Sequence, residues 1–569
     1  MNQLHHNPSR LPRAIEALLL LVAAVFFTLH AFHLSADFPN HSPWMDWAKY
    51  TDEGWYGDGA IRHFQRGQWY VPGDFNPAAA LPVWPLLECA LFRFTGVNLI
   101  AARALTVAIF GLILLTSYLL VRRWQLLSPG HAPGSNRTHQ RTETSLAPAI
   151  AVLLLAVSPF CYVFTRMAIL EPLLILFTLL ALLAASYMRI PEQGSPTPRR
   201  HFLLPTAYSL LPVLFALLLP LMILTKTTAI FIFPAIAWLL WARAGYRVRP
   251  FLRLGLPPAA IAFVIWLGYY VFIVRPRFLP DFHYLFDANS YTGLTPSNIL
   301  IVLAKTIGDG LWIGNILYPL AILAVISVFL LRPRLLRNPL IPSLILWAAS
   351  YAAFLAYHNN LQPRYYLVIA VPLTLLIPIV FSSLWTSRPR MRTASETWLH
   401  RVAITSIVSV LTFLTITDAR QTLHYVRTPD YGFSTAAGQI RHIISSDPTH
   451  NPLILSISGS QLSLMTGLPS ICDDFGTMDL PVRVKAYHPG WYIAWNQVED
   501  DKMDALTPMY HLQRVASFPA FDDPERNLLI LYRLDPATPS APPRRRKPTI
   551  PHLVRTSFGQ QSSSSQLVH

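Results

Sequence analysis

Of 569 residues, 53% are hydrophobic and only 13% charged, whereas an ordinary soluble domain carries about 25% charged residues; the composition excludes a soluble globular protein. The formal net charge is +16, but the cations sit in short runs between apolar stretches, which argues for membrane loops and against a nucleic-acid partner. Cys89, Cys161 and Cys472 show neither a CxxC pair nor a zinc spacing, so no disulfide framework is expected.

The first apolar run, 14–34, follows Arg10 and Arg13 and starts like a signal peptide. Further spans follow it and no A-x-A site closes it, so it reads as an uncleaved first helix. A bilayer-crossing helix needs about 20 apolar residues. That length predicts spans at 14–34, 98–121, 148–165, 168–188, 203–223, 227–242, 255–274, 312–331, 340–357, 364–386 and 401–418, about 11 in all. The stretch 82–95 is apolar but short and holds Glu88 and Arg93, which suits an interfacial or re-entrant helix.

Charge placement orients the chain. With the N-terminus in the cytoplasm, one set of loops holds Arg122, Arg123, Arg137, Arg141, Arg199, Arg200, Arg243, Arg247, Arg249, Arg253, Arg332, Arg334, Arg337, Arg388, Arg390 and Arg392. The opposite loops hold Asp37, Asp46, Asp52, Glu53, Asp58, Asp74, Asp281 and Asp287. Alternate loops thus obey the positive-inside rule, and an odd number of spans puts the residues after 418 outside, in the periplasm of a cell with two membranes. There the strand-length runs Leu453–Ile457 and Asn527–Tyr532, with short helices at 461–465 and 501–506, predict a small α/β domain. The expected organisation is a cytoplasmic segment 1–13, a transmembrane domain 14–418 with its first outer loop at 35–97, a soluble α/β domain 419–535, and a Pro-, Ser- and Arg-rich disordered tail 536–569. No fixed-period repeat is present.

The first outer loop carries the densest chemistry. It reads Trp47-Ala48-Lys49-Tyr50-Thr51-Asp52-Glu53-Gly54-Trp55-Tyr56-Gly57-Asp58-Gly59-Ala60-Ile61, two adjacent carboxylates among aromatics. Aromatic rings favour the membrane interface and also face sugars well. A carboxylate at that depth is placed to act as general base toward a hydroxyl acceptor whose donor sugar rides on a lipid phosphate. On the residues alone an acidic pair capping the following helix explains Thr51, Asp52 and Glu53 equally well.

Asp52-Glu53-Gly54-Trp55-Tyr56, followed by Ala60 and Gly67, resembles the Asp-Glu motif of the first loop in the protein O-mannosyltransferase and aminoarabinose-transferase-like families, integral-membrane glycosyltransferases of the fold C class (bacterial glycosyltransferase family 39-like). Arg166-Met167-Ala168-Ile169-Leu170-Glu171-Pro172, Lys226 and Gln362-Pro363-Arg364-Tyr365-Tyr366 extend the resemblance over about residues 14–420. It implies that Asp52 is the catalytic base, that Glu53 supports the acceptor or shapes the site, and that the fold is an all-α polytopic one. One departure matters. Those families often place paired prolines and a basic residue ahead of the helix after the first loop, while Phe75–Pro85 here holds no Lys or Arg. A phosphate contact does not carry over to that position, and the cation must come from elsewhere.

Lys226 is the sole charge in 203–241, and intramembrane charge is costly unless functional; a lipid phosphate is its natural partner, and a lysine snorkelling from a short outer turn is the alternative. Arg364 heads the tenth span, as an interfacial anchor or as a bidentate phosphate ligand. Tyr365 and Tyr366 suit an aromatic belt, and Tyr365 and Tyr56 join the candidate substrate contacts by position. Arg166 and Glu171 are candidate substrate-binding residues, spaced to pair with each other or to reach the acidic loop, with Arg166 a further candidate cation for the lipid phosphate; Glu171 before Pro172 also suits a helix start. Asp58 and Glu88 are reserve acids, read first as a surface charge and as a polar contact. His30, His33, Asp37 and His41 lack a recognised metal spacing, so no cofactor is indicated and a divalent metal stays open.

These readings predict transfer of a sugar from a polyprenyl-phosphate donor to a hydroxyl acceptor (glycan, lipid or protein) at the outer face of the inner membrane. A single base with a phosphate leaving group inverts the anomeric centre. Two other classes stand beside it: a transporter or flippase of a lipid-linked substrate, which would favour internal repeats and broken helices, and a non-catalytic scaffold of the same fold.

Overall fold

The computed structural model describes residues 10–127, 145–188, 205–287, 295–358, 361–386, 394–523 and 526–537. Arg137, Arg141, Arg199, Arg200, Arg388, Arg390, Arg392 and nearly all of the predicted tail lie outside the described residues.

Among the described residues seven helices are long and apolar enough to cross a membrane: Leu11–Leu29, Leu99–Trp124, Leu170–Tyr187, Val248–Leu285, Leu340–Tyr357, Pro363–Ser383 and the stretch beginning at Arg401. Four shorter apolar helices, Ala147–Val157, Leu211–Thr225, Thr227–Arg243 and Leu317–Leu330, fill the remaining predicted spans. The chain is a multi-pass membrane protein, all-α across the membrane. Pro363–Ser383 is 89% buried and Leu170–Tyr187 78%, so these two form the centre, while Leu11–Leu29 at 11% and Val248–Leu285 at 17% show most of their surface outward, as helices facing lipid do.

Two spans differ in detail from their predicted form. The stretch 148–165 is broken: Ala147–Val157 stops at Ser158 and Pro159–Phe164 restarts. Pro159 lacks the N–H that a continuous helix would use, and the Ser158 hydroxyl accepts the Cys161 N–H at 3.2 Å. The stretch 255–274 instead runs on, from Val248–Tyr269 through a π-helical Tyr270–Phe278 containing Pro276 into Leu279–Asp287. A wider turn is one way a helix accommodates a missing donor.

The first loop folds into the helix Asp52–Arg66, closed by Gly67 in the left-handed region at φ +70°, then into Val83–Thr95, the predicted short apolar helix.

The C-terminal unit follows the long helix Ala394–Arg427. Strands β1 (Ile454–Leu455), β2 (Ser470–Ile471), β3 (Trp491–Trp495), β4 (Tyr510–Pro519) and β5 (Leu528–Pro536) form one sheet in the order β2-β1-β3-β5-β4. The first three run parallel, with Ile454 opposite Ser470 and Trp491, and β5 is antiparallel to β3 and β4. Ile454, Trp491, Ile493 and Leu531 pack on one face with Phe433, Ala437 and Ile440 of the helix Gly432–Ser445. Leu455, Tyr492, Ala494 and Leu534 pack on the other with Val484 and Leu506. Burial on both faces explains the unbroken apolar runs that betray the central strands.

Candidate active site

Every candidate residue lies on one set of connections. Asp52, Glu53 and Tyr56 follow the first apolar helix, Arg166 and Glu171 join the third and fourth, Lys226 the fifth and sixth, and Arg364 the ninth and tenth. Ion pairs and hydrogen bonds bring these connections together, and Gln461 of the C-terminal unit meets Glu53 of the first.

Asp52 and Glu53 open the helix Asp52–Arg66, yet neither caps it. Thr51 precedes them without a side-chain cap bond. The Asp52 carboxylate instead accepts the Thr51 hydroxyl at 2.8 Å and pairs with the Arg364 guanidinium. Arg364 also pairs with Asp46, whose other oxygen accepts the Arg364 backbone N–H at 3.0 Å. Arg364 Nε lies 4.0 Å from Glu171, and Glu171 pairs with Lys226. Three carboxylates and two cations thus share one buried site. Tyr365 lies between the cations, its ring centroid 4.2 Å from Lys226 Nζ and 4.7 Å from Arg364 Cζ. Tyr56, one turn beyond Asp52, faces the same cluster; burial, then the Asp52 charge, keep its phenol protonated well above the usual range.

This geometry revises several expectations. The cations that sequence reading assigned to a lipid phosphate, Lys226 and Arg364, are held by carboxylates, as buried charges require. Lys226 does not snorkel; it is 8% exposed. Tyr365 and Tyr366 are buried rather than a lipid-facing belt. Arg166 does not pair with Glu171: its Nη2 donates to the Phe32 and His33 carbonyls at 2.6 and 2.7 Å, and its guanidinium covers the Tyr162 ring at 4.5 Å.

Glu53 is fully engaged. Its Oε1 accepts Arg103 Nε at 2.7 Å and the Ala168 N–H at 2.9 Å; its Oε2 accepts Arg103 Nη2 at 2.6 Å and Gln461 Nε2 at 3.1 Å. Arg103 spends Nη1 on the Leu34 and Ala36 carbonyls. With four donors on two oxygens, Glu53 has no lone pair left for an acceptor; it ties the loop to the second span, the third connection and the C-terminal unit.

Asp58 is no surface charge. It pairs with Arg62 at 2.8 Å, and Arg62 pairs with Asp74 at 2.6 Å, which in turn meets Arg483 at 3.1 Å. Burial pushes the Asp58 carboxyl up to about 7 despite Arg62. Glu88 is buried, with the Trp84 side chain beside its carboxyl and no cation paired with it among the described residues. Burial raises its carboxyl well above the usual range. A raised folded pKa means that the folded state holds the proton more tightly, so its contribution is full below the unfolded value of about 4.3 and is lost as pH rises toward the folded value. Glu88→Gln should therefore unfold at a higher temperature than the wild type, by a margin that widens from acid to neutral pH. A margin constant across pH would contradict the buried neutral acid.

His30, His33, Asp37 and His41 do not converge. His30 Nδ1 meets the Phe26 carbonyl, His33 meets Tyr431, Asp37 accepts the Phe433 and Ser434 N–H groups, and His41 lies 3.6 Å from Asp430. Among the described residues no group of three or more His, Cys, Asp or Glu is arranged to hold a metal.

Asp46, Arg103 and Gln461 were not singled out from the sequence. Asp46 carries the signal of a charge near an apolar span and Arg103 that of a charge within one; Gln461 carries none.

The chain shares its fold with solved membrane-protein structures at low sequence identity. Among solved structures, the chain is similar to ArnT from Cupriavidus metallidurans bound to undecaprenyl phosphate, at TM-score 0.56 and 14% identity over 90% of this chain and 97% of that one. It is likewise similar to the apo state of that protein, at TM-score 0.55 and 14% identity over 91% and 98%. No protein-family model and no curated protein matches the sequence.

Proposed function

We propose that the chain transfers a sugar from a polyprenyl-phosphate donor to a hydroxyl acceptor, with Asp52 as general base, at the outer face of the inner membrane. The observation that carries this reading is the convergence of Asp52 with two buried cations, Arg364 and Lys226. The fold shared with a protein crystallised with undecaprenyl phosphate supports a lipid-phosphate donor.

In this scheme the donor phosphate competes with Asp46, Asp52 and Glu171 for Arg364 and Lys226. Arg364 brings a planar fork suited to phosphate oxygens, Lys226 a point charge. As Arg364 turns to the phosphate, Asp52 loses its guanidinium partner and gains basicity. Asp52 then takes the proton of the acceptor hydroxyl while that oxygen attacks the anomeric carbon. The bond from that carbon to the phosphate oxygen breaks, its electron pair leaves with polyprenyl phosphate, and the anomeric centre inverts. Tyr56 and Tyr365 line the sugar, and the neutralised phosphate is the better leaving group.

The domain limits belong to the same proposal: a membrane domain 14–418 with its catalytic loop at 35–97, and an extracytoplasmic unit 419–535. A flippase of lipid-linked substrate is the reading to exclude. Proteoliposomes holding the wild type are given polyprenyl-phosphate sugars labelled in the sugar, with a panel of hydroxyl acceptors. Label on an acceptor supports the transferase, and the best donor names the sugar. Label crossing the bilayer still attached to its carrier would establish the flippase.

A further inference from the structure

The motif Asp52-Glu53-Gly54 is gripped from outside the membrane domain. The Gly54 N–H donates to Gln461 Oε1 at 2.9 Å, and Gln461 Nε2 donates to Glu53 Oε2 at 3.1 Å. The two bonds fix the amide's orientation, because an N–H cannot accept and an ionised carboxylate cannot donate. Gln461 is 1% exposed and lies in the helix Gly459–Thr466 of the C-terminal unit. A Cβ at Gly54 would fall on the backbone of Ser460 and Gln461, so the two helices meet main chain to main chain.

The grip continues on the other side of Asp52. Tyr50 packs inside the C-terminal core, edge-on to Trp495 and Phe521 at 5.1 and 5.2 Å, and its hydroxyl donates to Asp523. Asp52 is therefore bracketed, two residues before and two after, by contacts to a unit that begins more than 360 residues later in the chain.

We propose that the C-terminal unit sets the position of the catalytic turn through Gln461, making Gln461 a positioning residue for transfer; this rests on the transferase reading above. The side-chain hydrogen bonds described for Gln461 go to Gly54 and Glu53, not to Asp52, Arg364 or Lys226. It fixes the helix start from which the Asp52 side chain reaches the site, and misplacement by about 1 Å costs on the order of 10²-fold in rate.

The test uses the full chain in proteoliposomes. Gln461→Met keeps the length but removes both bonds; it should lower kcat on the order of 10²-fold, leave the donor KM unchanged, and speed amide hydrogen exchange in the peptide spanning 50–57. Gln461→Glu loses the donated bond when ionised and regains both when protonated. Its activity relative to wild type should climb as pH is lowered, a rescue that Gln461→Met cannot show. Unchanged exchange together with wild-type kcat in Gln461→Met overturns the proposal. So does a Gln461→Glu profile that runs parallel to that of Gln461→Met. Faster exchange in the variant, with no transfer by the wild type from any donor, overturns the transferase reading and leaves the contact as a joint between domains.

Discussion

Replacing Asp52 by Asn is expected to cut transfer by about 10²- to 10⁴-fold, the usual contribution of a positioned general base. The variant should still fold and insert. Arg364 keeps Asp46 as its ionic partner and keeps its backbone bond to that carboxylate at 3.0 Å, so the guanidinium is not left uncompensated. The Thr51 hydroxyl, now 2.8 Å from a carboxylate oxygen, keeps an acceptor in the amide. Donor affinity should stay equal or rise, because one of the carboxylates competing with the phosphate for Arg364 has lost its charge. The split between kcat and donor binding, read by transfer kinetics and by donor titration, is the informative quantity. A loss of donor binding with kcat preserved would make Asp52 a binding residue and not the base.

Arg103→Ala is expected to destabilise the protein by about 3–5 kcal/mol, the usual cost of removing one partner of a buried ion pair. Arg103 makes two bonds to Glu53, at 2.7 and 2.6 Å, and its remaining fork bonds the Leu34 and Ala36 carbonyls. The truncation leaves a carboxylate with 0% exposure facing a void. Arg103→Lys should restore little, since an ammonium cannot match the bidentate geometry. Adding Glu53→Gln to Arg103→Ala should recover part of the loss by removing the stranded charge. Thermal unfolding of the detergent-solubilised proteins measures all three. Wild-type stability in Arg103→Ala would show that Glu53 is solvated and that the four-way junction does not hold the loop.

How much of this was legible beforehand follows from what the membrane demands of a sequence. A crossing helix must be apolar along its whole length, so the apolar helices could be read from hydropathy, and Leu340–Tyr357 coincides with its predicted limits. The central strands β1 and β5 announced themselves as apolar runs. Strand β4 did not: Tyr-His-Leu-Gln-Arg-Val-Ala-Ser-Phe-Pro lies at the sheet edge with much of it exposed, and an edge strand open to water need not be apolar.

The site divided in the same way. Asp52, Glu171, Lys226 and Arg364 were legible singly, because a charge beside an apolar span needs a reason. Their pairings were not. Glu53 meets Arg103 from 50 residues away, Asp46 meets Arg364 from 318, and Gln461 meets Glu53 from 408. No local spacing encodes such contacts. The carboxylates that hold Lys226 and Arg364 in the described structure were invisible in sequence, and Gln461 passed unnoticed because a polar residue in a soluble domain calls for no explanation.

The most direct test of the central claim is the fate of the donor's phosphate bond. Purified wild type and Asp52→Asn, each in proteoliposomes, are supplied with a polyprenyl-phosphate sugar and an acceptor, and free polyprenyl phosphate is quantified beside incorporated sugar. The transferase account predicts one polyprenyl phosphate released for each sugar incorporated by the wild type, and both products lowered together by about 10²- to 10⁴-fold with Asp52→Asn. Equal release by the two proteins, or an intact donor that has merely changed leaflets, would contradict it.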